Sequence, residues 1–119
     1  MLKKLLRTGL LLDFYGALLT PKQQKCLELH YLNDFSLAEI ADEFAVSRQA
    51  VYDILHRSEL ILESYESKLK LVERYQTERK IIEQVIDLLN DLSPQIQSLT
   101  PVSKAKTKLK LLLDSYGEG

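Results

Sequence analysis

The sequence predicts an all-α fold, a helix-turn-helix bundle continued by a long C-terminal helical extension. Three observations carry that prediction. Apolar residues recur at helical spacing along most of the chain. With four glycines, three prolines and no Asn-Gly or Asp-Gly turn between alternating runs, strands have little support. Hydroxyl residues stand where helices would begin, at Thr20, Ser36 and Ser47. At 119 residues and 45% hydrophobic, the chain can build one cooperative core and is too short for two ordinary domains. It reads as one continuous unit: residues 1–58 hold an N-terminal helix and the helix-turn-helix, and residues 59–119 form the extension.

The first helix is expected over residues 2–19. Leu5, Leu12 and Leu19 are seven apart, with Leu2 and Tyr15 near the same face, and Gly9 and Gly16 offer a track for close packing. Thr20 before Pro21 starts the second helix, because proline tolerates the first helical position and the threonine hydroxyl can accept from a freed amide. That helix runs to Tyr31 or Leu32 and buries Cys26, Leu27 and Tyr31. After the turn "NDF", Ser36 and Glu39 form a capping box, and the third helix buries Leu37, Ile40, Ala41 and Phe44. Ser47 opens a fourth helix with Ala50, Val51, Ile54 and Leu55 inward.

Beyond Leu55 the apolar pattern does not stop. Leu55, Leu62 and Leu69 are heptad-spaced beside Tyr65 and Val72, and Tyr75, Ile82 and Leu89 continue in a shifted phase. One or two long helices therefore cover residues 48–93, with the polar run "QTERK" (76–80) as the expected break. "LSPQIQSLTP" is the linker. Thr100 and Pro101 start a last helix carrying Val102, Ala105, Leu109, Leu112 and Tyr116 on one face and Lys104, Lys106, Lys108 and Lys110 on its other face.

Residues 37–56 fit a twenty-position helix-turn-helix pattern. Ala41 falls fifth, where two helices touch and only a small side chain fits, while Ile40, Phe44 and Val46 plug the corner. Val51 and Ile54 fall fifteenth and eighteenth and face inward. The ninth position, which favours glycine in a left-handed conformation, holds Ala45 at a cost of about 1 kcal/mol.

With those residues in place, "LTPKQQKCLELHYLNDFSLAEIADEFAVSRQAVYDILHR" resembles the helix-turn-helix of sigma-factor region 4, which reads the upstream promoter element. Together with "LLDFYGALLT" before it and the helical tail after it, the chain resembles the YlxM family of small bacterial proteins. The resemblance covers most of residues 5–90. It implies a winged-helix-like, DNA-binding, regulatory protein, and a part in the signal recognition particle pathway, beside whose genes the family's genes commonly lie.

On that reading Arg48, Gln49 and Tyr52 are the candidate base contacts. Arginine can fork onto guanine, and glutamine onto adenine, from the N-terminal end of a recognition helix. Lys22, Gln24, Lys25, Ser47, His56 and Arg57 are candidate backbone contacts. Electrostatics oppose tight binding. From Thr20 to Ser58 four basic residues (Lys22, Lys25, Arg48, Arg57) meet six acidic ones (Glu28, Asp34, Glu39, Asp42, Glu43, Asp53), a net of −2, and the whole chain carries −1. Two copies in a homodimer would offset this by avidity. Leu62, Tyr65, Leu69, Val72, Ile82, Val85, Leu89 and Leu92 form the candidate oligomer interface, because helices three and four cover only one side of the extension. The alternative is a protein-interaction module that docks on a signal recognition particle protein or its RNA.

Other classes lack residues to support them. No Ser/His/Asp set, glycine-rich phosphate loop or isolated carboxylate pair suggests an enzyme, and no cofactor is expected. His30 and His56 have no metal-ligand arrangement around them, so no metal is expected. Cys26 reads as a small buried hydrophobe. Asp13 and Tyr15 interrupt the leucine-rich N-terminus, which argues against a signal peptide or membrane insertion and for a cytoplasmic protein.

Overall fold

The computed structural model describes residues 2–116, excluding the side chain of Tyr116. Among the described residues there is no strand, so the helix-turn-helix carries no β-wing. The helices are α1 (Leu2–Tyr15), α2 (Pro21–Leu27), α3 (Leu37–Phe44), α4 (Arg48–Leu69), α5 (Leu71–Asn90), α6 (Pro94–Gln97) and α7 (Thr100–Tyr116). A 3₁₀ turn, Gly16–Leu18, follows α1, and a π-helical turn, Glu28–Leu32, continues α2. Packing divides the chain between Val72 and Glu73 into two compact units.

In the first unit each helix start is chemically specified. Thr20 accepts from the Gln23 amide while the Gln23 side chain accepts from the Thr20 N–H, at 3.2 and 3.1 Å. Ser36 and Glu39 form the same reciprocal box at 3.1 Å each way. Ser47 caps α4 through the Ala50 N–H at 3.0 Å. Ala45 does take the left-handed conformation, with φ 54° and ψ 45°. The Val46 N–H reaches Ala41 O at 3.0 Å and the Ala45 N–H reaches Asp42 O at 3.4 Å, a Schellman closure that satisfies the last carbonyls of α3.

The core lies where α1, α2, α3 and α4 meet. Tyr15, Leu27, Ile40, Val51 and Leu62 are fully buried, with Cys26 and Ser58 filling the tight places. Each large apolar side chain removed from water contributes about 1.5–3 kcal/mol, and this shared cluster fixes the angle between α3 and α4. The first turns of α1 contribute less than their heptad spacing suggests. Leu2 and Leu5 are exposed, and burial starts at Thr8. The expected glycine track is also absent: a Cβ placed on Gly9 would meet nothing within 4 Å.

The break after α4 falls at Lys70, not at the polar run 76–80, which lies inside α5. Lys70 is left-handed (φ 55°), and its N–H closes on Glu66 O at 2.9 Å. The cause is a buried knot. Tyr15 Oη donates to Glu66 Oε1 at 2.6 Å, the Val72 N–H donates to the same oxygen at 3.0 Å, and the Leu71 N–H donates to Tyr15 Oη at 3.0 Å. Together the phenol and the carboxylate accept from the first amides of α5 and start a new helix there. Burial, and then the Glu66 hydrogen bond, push the Tyr15 phenol above its usual pKa, against the opposing effect of the Leu71 N–H.

The second unit holds the rest of α5 with α6 and α7. Ser93 caps α6, and Gln97 Nε2 donates to Asn90 O and Leu92 O at 2.9 and 2.6 Å, folding the linker. Arg79 Nη1 reaches Leu113 O at 3.3 Å, so α7 returns along α5. The expected inner place of Tyr116 lies outside the described side chains. The four lysines of α7 do not share a face. Spacing by two residues turns the helix by about 200°, which separates Lys104 and Lys108 from Lys106 and Lys110. Lys106 is half-buried and bonds Gln97 Oε1 at 3.1 Å.

Candidate nucleic-acid interface

With Val51, Leu55 and Ser58 of α4 turned into the core, the helical repeat turns Gln49, Tyr52 and His56 away from it, while Arg48, on the Val51–Leu55 side, reaches solvent as the first residue of the helix. All four are exposed, as are Ser47 and Arg57. Two of them are held by neighbours one turn away. Gln49 Nε2 donates to Asp53 Oδ1 at 3.1 Å, and the Tyr52 and His56 rings stack nearly parallel, 6.0 Å between centroids and 4° between planes. Asp53 therefore sits among the candidate contacts and puts a negative charge on the face that would approach phosphate. For Gln49 to read an adenine edge it must exchange that bond for one to the base.

Of the bracing residues on α2, Lys22 and Lys25 are exposed. Gln24 is not comparable with them: it is half-buried, its amide lying over Gly16 at 3.5 Å from where a Cβ would stand. Glu39, Asp42 and Glu43 on α3 are all exposed. The structure thus exposes Ser47, Arg48 and Gln49 at the start of α4 and Tyr52 and His56 one and two turns on, and places the acidic α3 beside that helix.

The candidate oligomer residues divide into three groups. Leu62 and Val72 are fully buried in the chain's own first unit, and Tyr65 stacks on Tyr15 with centroids 5.9 Å apart. Leu62 and Val72 are therefore closed to a second chain, and Tyr65 packs half-buried against the same core. Ile82, Leu89 and Leu92 are half-buried within the second unit, where Ile86, outside the expected rows, is the best-buried of the described side chains. Leu69 and Val85 are exposed, and so are Ile81, Leu88, Leu111 and Leu112.

Glu66, which starts α5, is 7% exposed and was not among the candidates. The sequence does contain a signal for it: a carboxylate four residues after Leu62, on the row that buries Leu55 and Leu62, needs a buried donor, and Tyr15 is the phenol on the facing helix. No helix among the described residues is long and apolar enough to cross a membrane.

A family model described as "Putative helix-turn-helix protein, YlxM / p13 like" (UPF0122) matches residues 2–102. The chain is 52% identical over 90 residues to a UPF0122 protein of Geobacillus kaustophilus, covering 76% of this chain and 82% of that one. To a UPF0122 protein of Exiguobacterium it is 48% identical over 101 residues, covering 82% and 94%. To one of Bacillus mycoides it is 44% identical over 109 residues, covering 92% and 99%.

Proposed function

The chain belongs to the UPF0122 family of YlxM/p13-like helix-turn-helix proteins, and from that premise we propose that it is a cytoplasmic, non-enzymatic regulator that binds DNA directly through the N-terminal end of α4. One observation carries the reading: behind a Ser47 cap and a left-handed Ala45, Arg48 and Gln49 project into solvent from the start of the helix that a major groove would receive. Arg48 forks onto a guanine, Gln49 onto an adenine after leaving Asp53, and Tyr52, His56 and Arg57 follow the phosphates. Lys22 and Lys25 brace the same strand.

The net charge of −2 over residues 20–58 makes a single copy a weak binder, so the proposal includes a homodimer. Exposed apolar side chains of the second unit, Val85 and Leu88 among them, supply its contact. The test is titration of fluorescent duplexes selected from random sequence, at low and then rising salt. Arg48→Ala is expected to weaken the selected duplex by about tenfold or more, one good base contact being worth about 1–3 kcal/mol, while Lys68→Ala leaves it unchanged. No retention of any duplex at low salt would overturn the reading.

The exposed acidic side chains of α3 favour a second reading, in which the helix-turn-helix surface docks on a protein or RNA of the signal recognition particle. It predicts co-purification with the particle, surviving nuclease where protein contacts dominate. Failure to co-purify under mild conditions would remove it.

A further inference from the structure

A groove runs between the N-terminal turns of α1, the π-helical turn and α4, apart from the α2 lysines and Arg48 but sharing Tyr52 and His56 with the candidate DNA face. Its central part, about 290 Å³, is lined by four rings (His30, Tyr31, Tyr52 and His56) and by Glu59 and Lys4. The groove widens into a space of about 520 Å³ against Leu2 and Leu5, and narrows to one of about 180 Å³ towards Arg7 and Glu63. Lys4 borders all three spaces. In size this falls in the range of small-molecule sites, and its composition, rings with few polar groups, is also theirs.

The polar groups indicate the sign of the ligand. Tyr31 Oη donates to Glu59 Oε1, which fixes that carboxylate at the groove wall. His30 and Tyr31 meet edge to face at 4.8 Å, and His30 Nδ1 lies 2.9 Å from Phe35 O, so that nitrogen carries the proton and donates to the carbonyl. Arg7 is matched by Glu63 through two bonds of 2.7 and 2.8 Å, so that pair adds no net charge. Of the lining carboxylates, lysines and arginines, what remains is Glu59 and Asp34 against Lys4. The only cation on Glu59 among the described residues is the Lys4 ammonium, 3.7 Å from Oε2 on a side chain 65% exposed, a loose contact that a better cation can replace. A phosphate or carboxylate would meet Glu59 and Asp34, whereas an ammonium or guanidinium meets a carboxylate and ring faces.

We propose that this groove binds an organic cation, a primary ammonium or a guanidinium, which takes the place of Lys4 on Glu59 among the rings of Tyr31, Tyr52 and His56. Lys4 is then a resident competitor. Two sources present this chemistry, a free polyamine-type molecule and an arginine side chain of a polypeptide, and they differ in whether the backbone adds affinity. The proposal concerns the free protein and does not depend on DNA binding.

The experiment is calorimetric or NMR titration of the full chain with agmatine, with an N-acetylated arginine-amide peptide, and with the neutral urea analogue of agmatine. Saturable binding of either cation with the neutral analogue silent is expected, and the tighter of the two identifies the source. Lys4→Ala should tighten binding about fivefold, the worth of an exposed ion pair removed from competition. Glu59→Gln should weaken it by about tenfold or more. Lys4 lies on the surface, so its variant tests the idea even where the Glu59 variant loses helicity. No saturable binding of either cation, or affinity unchanged or weakened in Lys4→Ala, would overturn the proposal.

Discussion

Ala45 occupies φ 54°, ψ 45°, a conformation that its Cβ resists. The Schellman bonds from Ala45 and Val46 and the packing of Ile40 and Val51 hold it there. Ala45→Gly is therefore expected to raise stability by about 0.5–1 kcal/mol in thermal or urea melts, with the corner unchanged. Gly9 presents the opposite case. It lies within α1 with open space where a Cβ would stand, so Gly9→Ala should also stabilise, by about 0.5–1 kcal/mol. A destabilised Gly9→Ala would mean that another surface packs closely on α1. Both residues were visible in the sequence, but only Ala45 could be interpreted there: twenty-position spacing specifies a backbone angle, whereas two glycines seven apart do not specify a neighbour.

At the scale of elements, helix starts were legible because they are local. Thr20, Ser36 and Ser47 each act within three residues, and the structure has all three caps. The end of α4 was not legible, because it depends on Tyr15 meeting Glu66 from the far side of the core, more than fifty residues away. A polar run such as 76–80 looks like an interruption, yet it lies within α5, with Arg79 half-buried and bonded to Leu113 O. Tyr15→Phe removes the donor to Glu66 and the acceptor for Leu71, and should cost about 1–3 kcal/mol by chemical denaturation. The same contact sets an alkaline limit. A phenol whose pKa is raised in the folded chain stabilises fully below its ordinary value near 10 and loses that stabilisation as pH rises through the folded value. Tyr31 is shifted in the same direction, by burial and then by Glu59. Stability should therefore fall above about pH 10, and less steeply in Tyr15→Phe, as measured by urea midpoints across pH.

For the molecule as a whole, the fold class and the helix-turn-helix could be read from apolar spacing, while the partner of the extension could not. The heptad rows recorded a need for burial without recording who supplies it, and for Leu62, Tyr65 and Val72 the supplier is the chain itself. If the exposed Val85 and Leu88 make the proposed dimer, Leu88→Glu should halve the mass found by light scattering and leave helicity intact. The Arg7–Glu63 pair joins distant parts of the first unit but is half-exposed on both sides, so Arg7→Ala should cost well under about 1 kcal/mol and less at high salt. Glu63 is held below its ordinary pKa, first by the Arg7 hydrogen bond, so this contribution is present above about pH 4.5 and fades on acidification.

The helix that starts with Arg48 runs without interruption to Leu69, about 33 Å of rod gripped along one side by Val51, Leu55, Ser58, Leu62 and Glu66. Such a geometry has leverage. A tilt of about 5° around that grip would sweep the guanidinium end through more than about 1 Å, enough to misalign a two-point contact with a base edge. Under the proposed function, fidelity at the tip would thus depend on the whole buried row, from Val51 to the phenol and carboxylate that clasp the opposite end.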